Sequence, residues 1–339
     1  MNELKVSVIV PTHNRHEKLA ETLASLRNQS LSAGEYEIVV VDDGSCPAVT
    51  LVYAGAGPKC TLVRLEGVER SAARNAGAAP ATGGLIVFVD DDNTVGSDFL
   101  AAHLRAQYEW ADALAVGAVR LPPEVLATPF GRFRHALEQN FMPGTRGPTG
   151  MRNSCSAGNM SISRMRFDQL GGFDSNIVSS EDQDFALRHT ASGGQIVYIP
   201  EARAIHHDSA LNIRSYCRRS EWGMENMIPF CERYPDWPDN IERNLVNGPV
   251  LWRNDSFWRI ARKLAKRSLT PKPILAALFL VASLLERLAP NSRLLDRTYR
   301  LLLGAHILRG YRAGVRRHNP VAKLSDPMTR SVASDSAAR

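Results

Sequence analysis

The chain has few cysteines, and they form no pattern typical of a metal site or a disulfide framework. Its 339 residues include five cysteines, scattered along the sequence without a Cys-x-x-Cys pair. A structural zinc site and a disulfide scaffold are therefore not expected, and reduced thiols favour a cytoplasmic protein. The first residues lead directly into a strand-like run without a basic segment or a small-residue cleavage site, so no signal peptide is expected.

Two common phosphate-binding motifs are also missing. Neither G-x-G-x-x-G nor G-x-x-x-x-G-K-[ST] follows the first strand-like segment, where residues 11–15 read Pro-Thr-His-Asn-Arg instead. The dinucleotide fingerprint and the P-loop are thereby excluded. A nucleotide would have to be held by another device, which favours a metal ion bound to carboxylates.

The sequence contains no apolar run long enough to cross a membrane. The run at 274–285 has 12 residues without a charge, whereas a spanning helix needs roughly 20. Charge is nevertheless distributed unevenly, since residues 259–339 carry 17 Lys and Arg against 4 Asp and Glu, while the rest of the chain is net negative. A basic tail on an acidic body predicts a polyanionic partner, and we expect a membrane surface rather than nucleic acid.

Two interpretations of this basic region remain open. Residues 257–267 and 294–317 have the pattern of basic amphipathic helices, which could lie in a membrane interface together with the apolar run. Alternatively, the helices form a cap on the preceding domain or on a dimer partner. The expected location is the cytoplasm, with the inner face of the cell membrane as the peripheral site that the first interpretation allows. Residues 318–339 lack a periodic pattern and are expected to be disordered.

The most informative stretch is a buried strand that runs into three carboxylates. Residues 85–89 are all apolar, and Asp90, Asp91 and Asp92 follow them directly. Because unpaired charge is costly inside a core, the aspartates must lie past the end of the strand. Ligands of open α/β sheets bind at that edge, where clustered carboxylates suit a divalent cation that holds phosphates. The alternative is a solvated acidic turn.

The remaining pattern predicts an α/β fold with a mostly parallel sheet flanked by helices. Strands are expected at 5–10, 36–41, 61–65, 113–120 and 195–200, and helices at 15–29, 71–79, 97–111 and 211–233. The second strand also ends in acids, Asp42 and Asp43, so that both sets of acids are expected at one sheet edge. Either of these two could instead cap a local turn.

Four motifs in order resemble the family 2 glycosyltransferases, which have the nucleotide-diphospho-sugar-binding GT-A fold. The motifs are Ser-Val-Ile-Val-Pro-Thr-His-Asn-Arg at 7–15, Val-Val-Asp-Asp-Gly-Ser at 40–45, Ala-Arg-Asn-Ala-Gly at 73–77 and Phe-Val-Asp-Asp-Asp at 88–92. The similarity covers roughly residues 4–235. It divides the chain into a GT-A domain at 1–235, a helical C-terminal extension at 236–317 that could associate with a membrane, and the tail at 318–339.

The resemblance implies a donor site with an assigned metal ligand. Residues that would line the nucleotide pocket or lie near the ribose and metal are Pro11, His13, Asp43, Arg74, Asp90 and Asp91, with Asp43 accepting a hydrogen bond from the base. Asp92 would bind Mn²⁺ or Mg²⁺ as part of a DxD-type motif. The donor would be a nucleotide-diphospho-sugar, most commonly a UDP-sugar, and the cation would neutralise charge on the leaving diphosphate.

Two later segments complete the implied site. Residues 179–188 read as a helix start with a serine cap and acids in the first turn, but they also match the family pattern E-D-x-D-[FW]-x-x-R. By that resemblance Asp182 is the catalytic base, Glu181 helps to place it, and Asp184 supports the structure. His206 follows the family's Pro-x-Ala-x-Val-x pattern and would join the metal, whereas on residues alone it is a strand-end histidine. Gly158 either allows a ligand to approach the backbone or fits a sheet corner.

These features predict an inverting glycosyltransferase that moves a sugar from a nucleotide donor to a hydroxyl of a saccharide or lipid-linked acceptor, in polysaccharide or glycolipid biosynthesis. The alternative from another class is a non-catalytic polyanion- or membrane-binding protein on a degenerate transferase scaffold. The completeness of the acidic motifs argues against it. A nucleotidyltransferase is disfavoured because no glycine-rich basic loop follows the first strand.

Overall fold

The structure, a computed structural model, describes residues 5–51, 57–139, 144–150, 155–208 and 211–318. The chain divides into two compact units after Asp208. The domain boundary expected at 235 lies 27 residues further along the chain. The expected disordered tail falls outside the described residues beyond residue 318.

The first unit is built on a sheet whose nine described strands are β1 (Val6–Thr12), β2 (Tyr36–Asp43), β3 (Lys59–Leu65), β4 (Leu85–Val89), β5 (Asn93–Val95), β6 (Leu114–Arg120), β7 (Gly147–Pro148), β8 (Asn159–Ser163) and β9 (Ile196–His206). Their order is β3-β2-β1-β4-β8-β6-β9-β5, and β7 pairs with β9. The pairs among β1 to β4 are parallel. The second half of the sheet is mixed, because β8 runs antiparallel to both β4 and β6.

Seven helices among the described residues of the first unit connect and cover these strands. They are α1 (His16–Arg27), α2 (Arg70–Ala78), α3 (Phe99–Glu109), α4 (Pro123–Leu126), α5 (Pro129–Gln139), α6 (Arg164–Gln169) and α7 (Glu181–Ala191). Helices lie on both faces, so that successive residues of the central strands are buried on opposite sides. Val6, Val8 and Val10 of β1 pack in one core with α1 and α3, whereas Ile9 packs in the other with α2 and α7. This two-sided burial explains the uninterrupted apolar runs of the sequence.

A buried polar network lies at the start of β8, where Asn159 reaches the backbone of the adjacent β6 and of β9 beyond it. Asn159 is fully buried, and its Nδ2 donates to the carbonyls of Ala118 and Ala202, at 3.1 and 2.8 Å. Asn159 Oδ1 is therefore an acceptor for His103 Nε2, at 2.9 Å, so that Nε2 must carry the proton. The other ring nitrogen, His103 Nδ1, accepts a hydrogen bond from Ser161 Oγ at 2.8 Å. The histidine is held in one neutral tautomer because its second nitrogen is needed as an acceptor. Burial lowers the pKa of His103 to about 4.

The second unit is helical over its described residues. Its helices are α8 (Ile213–Asn226), α9 (Ile228–Arg233), α10 (Pro238–Asn247), α11 (Phe257–Ser268), α12 (Lys272–Leu288) and α13 (Arg293–His318). The single helix expected at 211–233 is two helices, because Pro229 cannot donate a backbone hydrogen bond and starts a new helix. No described helix is long and apolar enough by itself to cross a bilayer, although α11 and α12, bent by 88°, meet that criterion together.

The buried histidine makes stability depend on pH. The pKa of His103 is lowered in the fold, so the unfolded state binds the extra proton first and stability is lost as the pH falls. Between about pH 7 and about pH 5 this loss should amount to about 2 kcal/mol. The glutamine of His103→Gln does not titrate. The free energy of unfolding of this variant should therefore fall by about 2 kcal/mol less than that of the wild type over the same interval. Urea unfolding of both proteins at the two pH values measures the difference, and parallel losses would contradict the assignment.

Candidate active site

Three parallel strands bring their carboxyl ends to one edge of the sheet in the first unit. Thr12 at the end of β1 pairs with Asp42 of β2, and β4 runs parallel to β1 on its other side. The acids after β2 and β4 therefore lie on either side of Thr12. Ligands of open α/β sheets bind at this edge, and the predicted clustering of the two acid sets is what the strand order produces.

The two adjacent aspartates after β2 have different surroundings. Asp42 is fully buried and accepts the N–H groups of Ser45 and Val49, at 2.9 and 2.8 Å, together with Arg64. Burial acts to raise the pKa of Asp42, but these hydrogen bonds outweigh it and lower the pKa to about 2. Asp42 thus organises the turn, which is the Asx-turn role weighed from the sequence.

Asp43 lies at the more accessible side of the same turn. Its Oδ1 accepts the N–H of Val68 at 2.7 Å, and its carbonyl accepts a hydrogen bond from His13 Nδ1, also at 2.7 Å. Pro11, which pairs with Val41 across β1 and β2, is also partly accessible. Pro11, His13 and Asp43, which the resemblance assigns to the nucleotide pocket, are thus placed at neighbouring positions of the two strand ends.

Asp91, the second of the three aspartates after β4, is buried. Thr12 Oγ1 donates to its Oδ2 at 2.6 Å, and Arg15 Nη1 donates to its Oδ1 at 3.1 Å. Burial raises the pKa of Asp91 to about 6, although Thr12 and Arg15 act in the opposite direction. The side chain is 5% exposed, so its position is fixed by β1 and the start of α1.

Asp92 belongs to a group of three possible metal ligands. One ligand atom each from Asp92, His206 and Asp208 lies within 4.8 Å of the other two. Asp92 Oδ1 lies 3.3 Å from His206 Nε2. Two carboxylates and an imidazole are suitable donors for a divalent cation such as Mn²⁺. The three donors are therefore close enough together to hold a single cation.

Electrostatics within this group already favour a bound positive charge. Burial acts to raise the pKa of Asp92, but His206 and Arg15 outweigh it, and the net pKa is lowered. Burial acts to lower the pKa of His206, whereas Asp92 and Asp208 raise it above its ordinary value. The two carboxylates thus stabilise a cation at the position of the imidazole or beside it.

Sequence reasoning missed two members of this site. Asp208 is 5% exposed and pairs with Arg134, which is 1% exposed and comes from α5, at 2.8 Å. Alternation along an extended strand could have suggested Asp208, because residues 206 and 208 share one side. No local pattern marks Arg134, which lies in a segment rich in proline and glycine at 121–150.

Arg15 was also missed, although it lies in the first of the family-like motifs. Its Nη1 donates to Asp92 Oδ2 at 2.7 Å as well as to Asp91. His206 contacts Asp92, whereas the adjacent His207 is directed to Thr94, with its Nε2 2.9 Å from Thr94 Oγ1. The strand thus separates the two histidines as expected for an extended chain.

Arg74 of α2 joins the aspartates after β4 to the acids of α7. Its Nη2 donates to Asp90 Oδ1 at 2.9 Å, and its Nη1 donates to Glu181 Oε1 at 2.8 Å. Burial acts to lower the pKa of Arg74, but the two carboxylates outweigh it and raise the pKa. Gly158 leaves room for this arrangement, because a Cβ there would lie 2.6 Å from Asp90 Oδ2. The glycine thus accommodates a side chain of the site.

The start of α7 differs from an ordinary capped helix. Ser180 occupies the N-cap position, but its φ is +71° and its side chain makes no capping hydrogen bond, so the expected serine cap is wrong. Such a left-handed conformation is unusual for a residue other than glycine and is found preferentially at functional sites. Asp184 is fully buried and accepts from Arg188 Nε at 2.9 Å, which holds the first two turns together.

Asp182 is the partly accessible acid of this helix start. Its surroundings are dense, and burial together with the charge of Glu181 raises the pKa of Asp182 to about 7, while Arg74 acts in the opposite direction. A carboxylate whose pKa is raised towards neutrality can accept a proton from a substrate. Glu181, by contrast, is buried and engaged with Arg74.

The fold and the acidic sheet edge define a GT-A-type domain. A mannosyltransferase from Pyrobaculum calidifontis, solved in complex with GDP-Man and Mn²⁺, is similar in fold, with a TM-score of 0.57, 18% sequence identity and coverage of 91% of this chain and 88% of that chain. The fold class expected from the sequence is thereby confirmed.

The sequence comparison agrees with the resemblance found in the motifs. Residues 7–166, a little under half of the chain, match Glycosyl transferase family 2. The pre-mycofactocin glycosyltransferase of Mycobacterium tuberculosis is 29% identical over 242 residues, which cover 68% of this chain and 48% of that protein. A glucosyl-dolichyl phosphate glucuronosyltransferase of Haloferax volcanii is 27% identical over 222 residues, which cover 60% and 69% of the two chains. The chain spans less than half of the length of the first curated relatives it matches.

The bridge made by Arg74 should be important for stability. Replacing it with methionine leaves Glu181 buried beside Asp90 without a counter-charge, and we expect a loss of about 3–5 kcal/mol. Glu181→Gln in the Arg74→Met background should restore part of this loss, because the buried charge is removed. Urea unfolding of the wild type, both single variants and the double variant closes the cycle. The assignment of the bridge would be contradicted if Arg74→Met were as stable as the wild type, or if the double variant were less stable than Arg74→Met.

Proposed function

We propose that this protein is an inverting glycosyltransferase that moves a sugar from a nucleotide-diphosphate donor to an acceptor hydroxyl. The observation that carries the proposal is the position of Arg74 between Asp90 and Glu181. It joins the acids expected at the donor to the helix that bears the expected base. A binding protein on a degenerate scaffold would have no use for this connection, since buried ion pairs contribute little net stability.

The donor site would lie along the ends of β1, β2 and β4. Asp43 would accept a hydrogen bond from the base, with Pro11 and His13 beside it, and Asp90 and Asp91 would lie near the ribose and the diphosphate. The mannosyltransferase of similar fold is described in complex with GDP-Man, and a second structure of similar fold, with a TM-score of 0.51, contains UDP and GalNAc. We propose a UDP-sugar as donor, following the family resemblance.

Asp92, His206 and Asp208 would hold a divalent cation, Mn²⁺ or Mg²⁺. When bound, it would neutralise the charge that develops on the diphosphate leaving group. Arg134 keeps Asp208 in place from α5. Arg15 touches both Asp91 and Asp92 and adds positive charge on the same side of the site. The chain's own residues therefore provide a charged cradle for a diphosphate.

Asp182 would act as the general base of a single displacement. It accepts the proton of the acceptor hydroxyl while the hydroxyl oxygen forms a bond to the anomeric carbon of the donor. The bond from that carbon to the diphosphate oxygen breaks on the opposite face, and the nucleoside diphosphate leaves with the electron pair. Inversion follows because attack and departure occur on opposite faces. The raised pKa of Asp182 is favourable for this proton transfer.

The acceptor would be a saccharide or a lipid-linked saccharide, as in polysaccharide or glycolipid biosynthesis. A relative from Haloferax volcanii is described as acting on a glucosyl-dolichyl phosphate, which supports a lipid-linked acceptor for this chain. The proposed location is the cytoplasm and the inner face of the cell membrane.

Removing the proposed base should separate transfer from donor binding. Asp182→Asn should reduce the transfer rate by at least about 10²-fold, because the amide cannot accept the proton. Donor affinity should remain close to that of the wild type. Asp168→Asn, which changes an exposed acid of α6, serves as the matched control. Initial rates and titration calorimetry with the donor measure both quantities, and a variant with near-full transfer would show that another group is the base.

Metal binding should require Asp208 as much as Asp92. Asp92→Asn and Asp208→Asn should each lower the affinity for Mn²⁺ by about tenfold or more, since a ligand is lost in each case. The rise in unfolding temperature that UDP produces in the presence of Mn²⁺ should shrink accordingly. Calorimetry with Mn²⁺ alone and thermal unfolding with UDP provide the two readouts. If Asp208→Asn bound Mn²⁺ like the wild type, Asp208 would not be a ligand.

A further inference from the structure

Helix α11 in the second unit buries a lysine and exposes large apolar side chains. Lys263 is 4% exposed, whereas Phe257, Trp258 and Leu264 are 75%, 79% and 44% exposed. On a helix with 3.6 residues per turn, Phe257, Ala261 and Leu264 share one side, and Arg259, Lys263 and Lys266 share the opposite side. A surface helix of a water-soluble domain ordinarily has the reverse orientation.

Specific polar contacts hold α11 in this orientation. Lys263 Nζ donates to Asp255 Oδ2 at 2.7 Å and to the carbonyl of Pro249 at 2.8 Å. Lys266 Nζ donates to Asn247 Oδ1 at 2.5 Å. Because these partners are provided by the segment just before the helix, the outward position of the aromatic side chains is built into the fold.

The next helix extends the exposed apolar surface. Along α12, Leu280, Leu284 and Leu288 recur every four residues and are 73%, 56% and 74% exposed, while Leu275, Phe279 and Ala282 are buried. We define the apolar face as the side chains of Trp252, Phe257, Trp258, Leu264, Leu280, Leu284 and Leu288. So many large exposed apolar side chains on two successive helices indicate an interaction site.

The charge around this face identifies the partner. Residues 251–301 contain eleven Lys and Arg but only three acids. Each of the acids has a partner in its own unit, since Asp255 pairs with Lys263, Glu286 accepts from the hydroxyl of Tyr299, and Asp296 pairs with Arg300. The segment that carries the exposed apolar side chains therefore has a large excess of positive charge.

We propose that the apolar face inserts into the headgroup region of an anionic lipid bilayer. Only a partner that is both apolar and negatively charged satisfies this surface. A second copy of the chain would bring the same positive charge against it, whereas an anionic bilayer offers acyl chains for the Trp, Phe and Leu side chains and phosphates for the arginines. Exposed tryptophans are also typical of membrane interfaces. The inference does not depend on the proposed transfer chemistry.

The test is sedimentation of the full chain with lipid vesicles. The wild type should bind vesicles with about 30% phosphatidylglycerol and bind phosphatidylcholine vesicles weakly, because the surface charge contributes to binding. Phe257→Ala/Trp258→Ala should lower the affinity by about tenfold or more, since buried aromatic area is lost. Arg262→Glu/Lys272→Glu should weaken binding to the anionic vesicles and reduce its dependence on salt. Tyr108→Ala, which removes an aromatic residue of the first unit that is also 75% exposed, should bind like the wild type.

Insertion can be separated from adsorption by fluorescence quenching. Lipids brominated on their acyl chains should quench the tryptophan emission of the wild type, and the quenching should fall in Trp258→Phe, which retains the apolar side chain and therefore the binding. Unchanged binding of Phe257→Ala/Trp258→Ala with an intact far-UV spectrum would overturn the proposal. The proposal would also be overturned if the wild type did not bind anionic vesicles but formed a dimer that this double variant abolished. The apolar face would then be the contact with a second copy of the chain.

Discussion

Concentrated negative charge at the carboxyl end of β4 is the constraint on which the rest of the site depends. Three consecutive aspartates could not be tolerated there without partners, because an unpaired buried charge is far more costly than an ordinary hydrogen bond. Two arginines compensate the three aspartates: Arg74 pairs with Asp90, and Arg15 pairs with both Asp91 and Asp92. These arginines come from α2 and from the loop after β1, so that compensation of the charge also connects the surrounding elements.

The bridge through Arg74 gives this arrangement a second consequence. Asp90 belongs to a strand end and Glu181 to a helix start that follows more than 90 residues later, yet one guanidinium contacts both. Geometry at the proposed donor side is therefore coupled to the position of the helix that carries Asp182. A rigid connection of this kind is what catalysis by positioning requires, because small displacements of reacting groups reduce rates strongly.

Much of the fold could be predicted from the sequence because its signals are local. The strand at 85–89 was predicted with its observed bounds, since apolar runs and the acids that end them are read directly. Pairing partners were not predictable in the same way. Asp208 and Arg134 lie 74 residues apart in the sequence, and nothing in either neighbourhood indicates the other. The left-handed Ser180 was missed because a serine before acids is typical of a capped helix, and tertiary contacts overrode that preference. The roles of Pro11, His13 and the other implied residues stay predictions.

The orientation of α11 also affects how the protein behaves in solution. Lys263 and Lys266 are anchored to the preceding segment, so that turning the aromatic side chains inward would break these hydrogen bonds. The free protein therefore exposes its apolar face to water. Its excess of arginine then has a colloidal role, because like charges on neighbouring molecules keep these surfaces apart. High ionic strength would shorten the range of that repulsion. Self-association of the chain should therefore increase with salt concentration.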